Sequence, residues 1–113
     1  MNIDSYSFGR IVIDGKIYTS DVIIYPGRVD ASWWRKKGHL LQLVDVEEML
    51  KAKPEVLIIG SGYAGVMRVP REIIERIVKQ GIEVIVERTS KAVKVYNDSH
   101  HVKTVIAALH ITC

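Results

Sequence analysis

A chain of 113 residues, 48% hydrophobic and 26% charged, holds enough apolar material for one core and not for two, so a single domain over residues 1–113 is expected. Its net charge of +3 divides unevenly, six Lys/Arg against seven Asp/Glu through Leu50 and ten against six beyond it. That surplus suits an anionic small molecule or an acidic partner surface, but it lacks the clustered stripe of a nucleic-acid binder.

No apolar run approaches the ~20 residues of a membrane span, and Met1 to Ser5 has neither a basic start nor an apolar signal region. Cys113 is the only cysteine, so an intrachain disulfide cannot form and a reducing, cytoplasmic setting is expected.

The first quarter reads as antiparallel β. Phe8 to Ile13 and Lys16 to Thr19 flank Asp14-Gly15, a strong two-residue hairpin signal. Val22 to Tyr25 is an apolar strand stopped by Pro26-Gly27. Within Arg28 to Lys37, the run Trp33-Trp34-Arg35 carries two large aromatics in succession. If that run is extended, its side chains alternate between faces, so both indoles cannot enter one core. Trp33, Trp34 and Arg35 are therefore candidate interface residues. Asp45 is expected to cap a short helix, with Glu48 completing a capping box and Val46, Met49 and Leu50 forming its apolar stripe.

Pro54 ends that helix, and Val56 to Ile59 then reads as a strand buried on both faces, running into a glycine loop. Gly60, Gly62 and Gly65 match the spacing G-x-G-x-x-G. In the dinucleotide fingerprint, however, the helix opens at the second glycine, whereas here the helix start is Pro70. The loop is too long for that use, and no cofactor is expected. Pro70 to Gln80 predicts an amphipathic helix with Ile73, Ile74, Ile77 and Val78 on one face, stopped by Gly81. Ile82 to Val86 is again apolar, so strand, helix and strand form a βαβ unit with parallel strands. Thr89 or Ser90 is expected to cap a third helix through Asn97, and Val102 to Ile111 is a closing strand.

Parallel strands send the loops at their carboxyl ends to one edge of the sheet, where ligands of open α/β sheets bind. That edge should collect Gly60, Ser61, Gly62, Tyr63 and Arg68 from one loop, and Glu87, Arg88, Thr89, Ser90 and Lys91 from the next. Glycine-loop amides, hydroxyls, two arginines and a lysine, with two helix N-termini nearby, make a candidate pocket for phosphate or carboxylate. The alternative is a solvated surface with Glu87 paired to Arg68 or Arg88.

Other constellations are weaker. His100, His101, His110 and Cys113 superficially suggest a metal, but adjacent strand residues diverge and positions three apart face opposite sides. No metal is expected, and these histidines read as surface or partly buried. Ser61 lacks the glycines that a nucleophile elbow needs two residues to either side.

Ile58-Ile59-Gly60-Ser61-Gly62 with Gly65, then Tyr96-Asn97 after a short helix, then Ala107 to Cys113, resemble a small α/β domain family of unknown function. It includes an adipogenesis-associated domain protein and a mitochondrial respiratory complex I assembly factor, with archaeal single-domain members of about this length. The resemblance implies a three-layer fold with a central mixed sheet, helices on its faces and an added N-terminal β layer. It implies no catalytic residues, and its eukaryotic members look like assembly or interaction proteins. Two functions remain open at this point. One is a non-enzymatic binding or assembly module acting on a protein partner or a second copy. The other is a small enzyme or sensor for an anionic metabolite at the carboxyl edge.

Overall fold

The computed structural model describes residues 1–113 and contains two sheets and three α-helices. The small sheet is antiparallel, with β1 (Ile3–Ser7), β2 (Arg10–Ile13) and β3 (Lys16–Tyr18) in that order. The large sheet has the order β5-β4-β8-β6-β7, from β4 (Val22–Tyr25), β5 (Arg28–Asp30), β6 (Val56–Ser61), β7 (Glu83–Glu87) and β8 (Val105–His110). Here β6 runs parallel to both β7 and β8, and β4 runs antiparallel to β8. The fold is thus a mixed α/β arrangement built on a parallel βαβ core, with an antiparallel β unit at its N-terminus.

Alternation along the strands divides the core in two. Val22, Ile24, Val56, Ile58, Val105, Ala107 and Leu109 face α3 (Thr89–Ser99) and the small sheet, packing with Ala92, Val93, Tyr96, Ile3, Ile11 and Ile13. Ile23, Tyr25, Leu57, Ile59, Ile106 and Ala108 face the other way, against Trp33, Leu41, Met67 and residues of α1 (Glu47–Lys51) and α2 (Arg71–Val78). The two central strands, β6 and β8, are buried at every position, which is why they read as unbroken apolar runs. Asn97 pins α3 to the small sheet, accepting from the Ile3 N–H (3.0 Å) and donating to the Ile3 carbonyl (2.9 Å).

Several local expectations need correction. The hairpin at Asp14-Gly15 is present, both residues having positive φ, but β2 begins only at Arg10 and Phe8 lies in a turn, 57% exposed. The sequence does not announce β1, because Asp4, Ser5 and Ser7 interrupt its apolar pattern and only Ile3 is buried. Asp45 caps nothing as an N-cap. It lies in a 3-10 turn, Leu43–Val46, and its carboxylate reaches back to the Gln42 N–H at 2.7 Å. The residue before α3 is Arg88, and Thr89 is already helical. β8 starts at Val105, since Val102 is 78% exposed in the preceding turn.

Candidate functional site

The parallel register of β6 with β7 and β8 brings three strand ends to one edge. Because β4 is antiparallel to β8, with Val22 opposite Leu109, the start of β4 arrives there as well. Asp21, Ser61, Glu87 and His110 therefore converge from positions far apart in the chain.

The glycine loop at this edge is closed upon the chain itself. Every amide from Gly62 to Arg68 has an internal acceptor. Gly62 donates to the Thr89 hydroxyl (2.9 Å), Tyr63 to the Thr112 carbonyl (2.7 Å), and Ala64 and Val66 to the Cys113 carbonyl (3.3 and 3.1 Å). Gly65, Met67 and Arg68 donate to the carbonyls of Gly62, Ser61 and His39. The amides that the sequence offered to an anion are thus already engaged. Two glycines permit this closeness. A Cβ on Gly60 would stand 2.8 Å from Thr89 Oγ1, and one on Gly62, where φ is +107°, would collide with the Cys113 carbonyl group. Thr89 is the central pin, accepting from Gly62 and donating to the His110 carbonyl at 2.6 Å, and it is wholly buried.

The side chains named from sequence meet different fates. Ser61 is buried and donates to the Glu87 carbonyl (3.2 Å). Arg88 is exposed and holds the Tyr63 carbonyl with Nε and Nη2, at 3.1 and 2.8 Å. Glu87 pairs with Lys91 at 3.6 Å, not with Arg68 or Arg88. Arg68 and Ser90 are exposed, with no side-chain bond to the rest of the chain. Tyr63 is half exposed and forms a small aromatic group with Phe8 and Tyr6, at ring distances of 6.0 and 6.4 Å. Burial pushes the Tyr6 hydroxyl up to about 12, against the lowering effect of Thr89, so at neutral pH it remains a donor to the Ile111 carbonyl (2.9 Å).

Beside this loop lies a buried charged group that the sequence did not reveal. Arg35 Nη1 meets Asp21 Oδ2 at 2.9 Å, Arg35 Nη2 donates to the Gly38 carbonyl (3.1 Å), and the Ile111 N–H donates to Asp21 Oδ1 (2.8 Å). His110 Nδ1 lies 2.8 Å from Asp21 Oδ2 and 3.0 Å from Arg35 Nη2. One ring nitrogen cannot donate to the first and accept from the second. Burial alone would raise the Asp21 carboxyl, but bonds from His110, Ile111 and Arg35 outweigh it and hold the group below its usual value. An ionised Asp21 assigns the proton to Nδ1, leaving Arg35 to act through Asp21 and Gly38.

His110 is therefore not a surface histidine, being only 5% exposed, while at the opposite edge His100 stacks on Tyr96 of α3 and His101 lies tilted against His100. No signal in the sequence links Asp21 to His110 across 89 positions. No three His, Cys, Asp or Glu side chains gather as a metal would require. Nor does any of the three cavities touch Asp21, His110 or the glycine loop.

The segment that supplies Arg35 alternates as its spacing predicts. Trp33 is buried, its indole N–H donating to the Asp45 carbonyl (3.0 Å), and Arg35 is buried next to Asp21. Trp34, between them, is 72% exposed. It borders a cavity of about 240 Å³ whose other walls include Tyr25, Asp30, Trp33 and Glu48. Of the three interface candidates, the fold leaves only this indole at the surface.

A central mixed sheet with this closed glycine turn and a C-terminal strand ending in His110 defines a small α/β domain class. A family model described as "Protein of unknown function (DUF498/DUF598)" matches residues 3–110, and the chain belongs to that family. A conserved hypothetical protein, PH1505, from Pyrococcus horikoshii OT3 superposes with a TM-score of 0.85 at 29% identity, all of both chains being covered. The solved structure described as MT938 gives 0.80 at 28% identity over 99% of this chain and 98% of that one. A Bordetella pertussis protein described as a Mth938-like domain shares the fold at 17% identity, with a TM-score of 0.66 over 97% of this chain and 85% of its own. No helix in the chain is long and apolar enough to cross a membrane.

Proposed function

We propose that the protein is a non-enzymatic binding or assembly module of the cytoplasm, engaging a protein partner or a second copy through the segment that carries Trp34. The supporting observation is the exposure of that indole between two anchored neighbours. Trp33 on one side is fixed by its bond to Asp45, and Arg35 on the other by Asp21 and Gly38, so the backbone that carries Trp34 outward is anchored at both flanks and has little freedom to lose on binding. Exposed aromatics presented in this way are the usual anchors of interfaces. The test is native mass spectrometry of protein purified from its own host, as wild type, Trp34→Ala and Arg88→Ala. The module reading expects a partner or higher assembly that Trp34→Ala loses and Arg88→Ala keeps. A wild-type monomer with nothing bound, or assembly indifferent to Trp34→Ala, contradicts it.

A second reading, a small enzyme or sensor for an anionic metabolite at the carboxyl edge, draws support from the exposed side chains of Arg68 and Ser90, neither of which bonds to the rest of the chain. It must work without the loop amides. Thermal unfolding with millimolar phosphate, nucleotides and acidic metabolites tests it. Stabilisation that Arg88→Ala abolishes favours it, and no stabilisation by any of them removes it.

A further inference from the structure

The groove beside Trp34 has a chemistry of its own. Three aromatic side chains line it, and two already carry a guanidinium from this chain. Arg28 lies 4.0 Å from the Tyr25 ring centroid and Arg35 lies 4.6 Å from that of Trp33. Trp34, the most exposed of the three, carries none.

The carboxylates at the groove are not neutralised by buried partners. Asp30 takes the Ser32 N–H (2.9 Å) and hydroxyl (2.6 Å) on Oδ1, leaving Oδ2 uncommitted. Those bonds from Ser32 hold the Asp30 carboxyl below its usual value, so it stays ionised at neutral pH. Glu48 meets Lys51 at 3.2 Å, but both side chains are more than 70% exposed, and a pair of that kind yields readily to a better one. Asp45, the third carboxylate, is occupied by the N–H groups of Gln42 (2.7 Å) and Lys36 (3.3 Å).

At about 240 Å³ the groove falls below the roughly 300–1,000 Å³ of sites for drug-sized small molecules, and it suits a single side chain. An indole face with carboxylates at its border is complementary to a planar cation, and arginine stacks on aromatics better than lysine does. We propose that this groove receives an arginine side chain of a partner protein, its guanidinium against Trp34 and its N–H groups toward Asp30 Oδ2 and Glu48. The assignment rests on the binding-module reading and adds the chemistry of the partner.

The experiment is an NMR titration of the intact chain, following the two indole N–H signals and the backbone amides. The probes are N-acetylargininamide and its neutral isostere N-acetylcitrullinamide. The expected result is a saturable shift of the Trp34 indole and of the Asp30 and Glu48 amides with the arginine probe, and none with the citrulline probe. Glu48→Gln and Asp30→Asn should each weaken the response by about threefold or more, while an unmoved Trp33 indole signal reports that each variant is folded. No saturation by about 100 mM, or an equal response to citrulline, overturns the assignment. If the arginine probe fails but Trp34→Ala still abolishes assembly, the cation is wrong and the module reading survives. If the probe binds at Trp34 while assembly ignores Trp34→Ala, the site stands and the module reading falls.

Discussion

The glycine loop at the carboxyl edge packs against His110 of the buried charged group to which the Trp33–Arg35 segment contributes Arg35, and the two use their polar atoms in opposite ways. The loop turns its amides inward, onto Thr89, Thr112 and Cys113, and leaves little backbone for a ligand. The segment turns its two flanking side chains inward and holds the middle one out. A glycine-rich turn after a buried strand is thus a packing device here, while the exposed indole of the other segment is the part free to meet another molecule. Spacing of glycines alone cannot separate these cases, because whether an amide is free depends on what the rest of the chain places against it.

If the loop is a packed structural element, Gly62→Ala should be the most damaging small change. A Cβ there enters the Cys113 carbonyl group at φ +107°, and a loss of about 4 kcal/mol or more in urea unfolding is expected. Gly27→Ala, at φ +86° with open space around it, serves as the control and should cost only about 1 kcal/mol.

Asp21→Asn comes next. It leaves Arg35 buried beside an uncharged partner, and about 3 kcal/mol should be lost at pH 7. The pH dependence has a fixed sign. Asp21 titrates lower in the folded chain than its ordinary value of 3.8, so its contribution is present above that value and disappears as pH falls toward the folded one. The gap between wild type and Asp21→Asn should therefore be full at pH 6 and shrink below about pH 4. A constant gap would show that the carboxylate charge is not what holds the segment.

Thr89→Val removes the acceptor of the Gly62 N–H and the donor to the His110 carbonyl, both buried, and should cost about 2–3 kcal/mol. Arg88→Ala and Trp34→Ala should be the mildest. Both side chains are exposed, and changes within about 1 kcal/mol are expected for each, so any loss of association can be read without a folding correction. Trp33→Ala sharpens the contrast between neighbours, because emptying a buried indole site costs about 3–5 kcal/mol.

Elements whose signals are local were legible in the sequence. Asp14-Gly15 fixes a turn through its own φ angles, and the apolar run Val56–Ile59 ahead of a glycine turn read as the strand buried on both faces that it is. That the two indoles part company followed from the period of an extended chain, but which of them faces out, and that Arg35 is buried with Trp33, did not. What could not be read depended on contacts between distant residues. β1 is too polar to announce itself and exists because β2 and Asn97 supply its bonds. Asp45 looked like a cap by spacing, but Gln42 occupies that role in the 3-10 turn. The Asp21–Arg35–His110 group joins three segments through a strand order that no local pattern encodes.

One spectrum places the two regions in direct competition. The intact, isotopically labelled chain is titrated first with inorganic phosphate and then with N-acetylargininamide, following the Gly62–Met67 amides and the Trp34 indole together. The expected result is that phosphate leaves the loop amides in place and the arginine probe moves the indole to saturation. Saturable movement of the Gly62–Met67 amides by phosphate, with a silent Trp34, would contradict the account and return the function to the carboxyl edge.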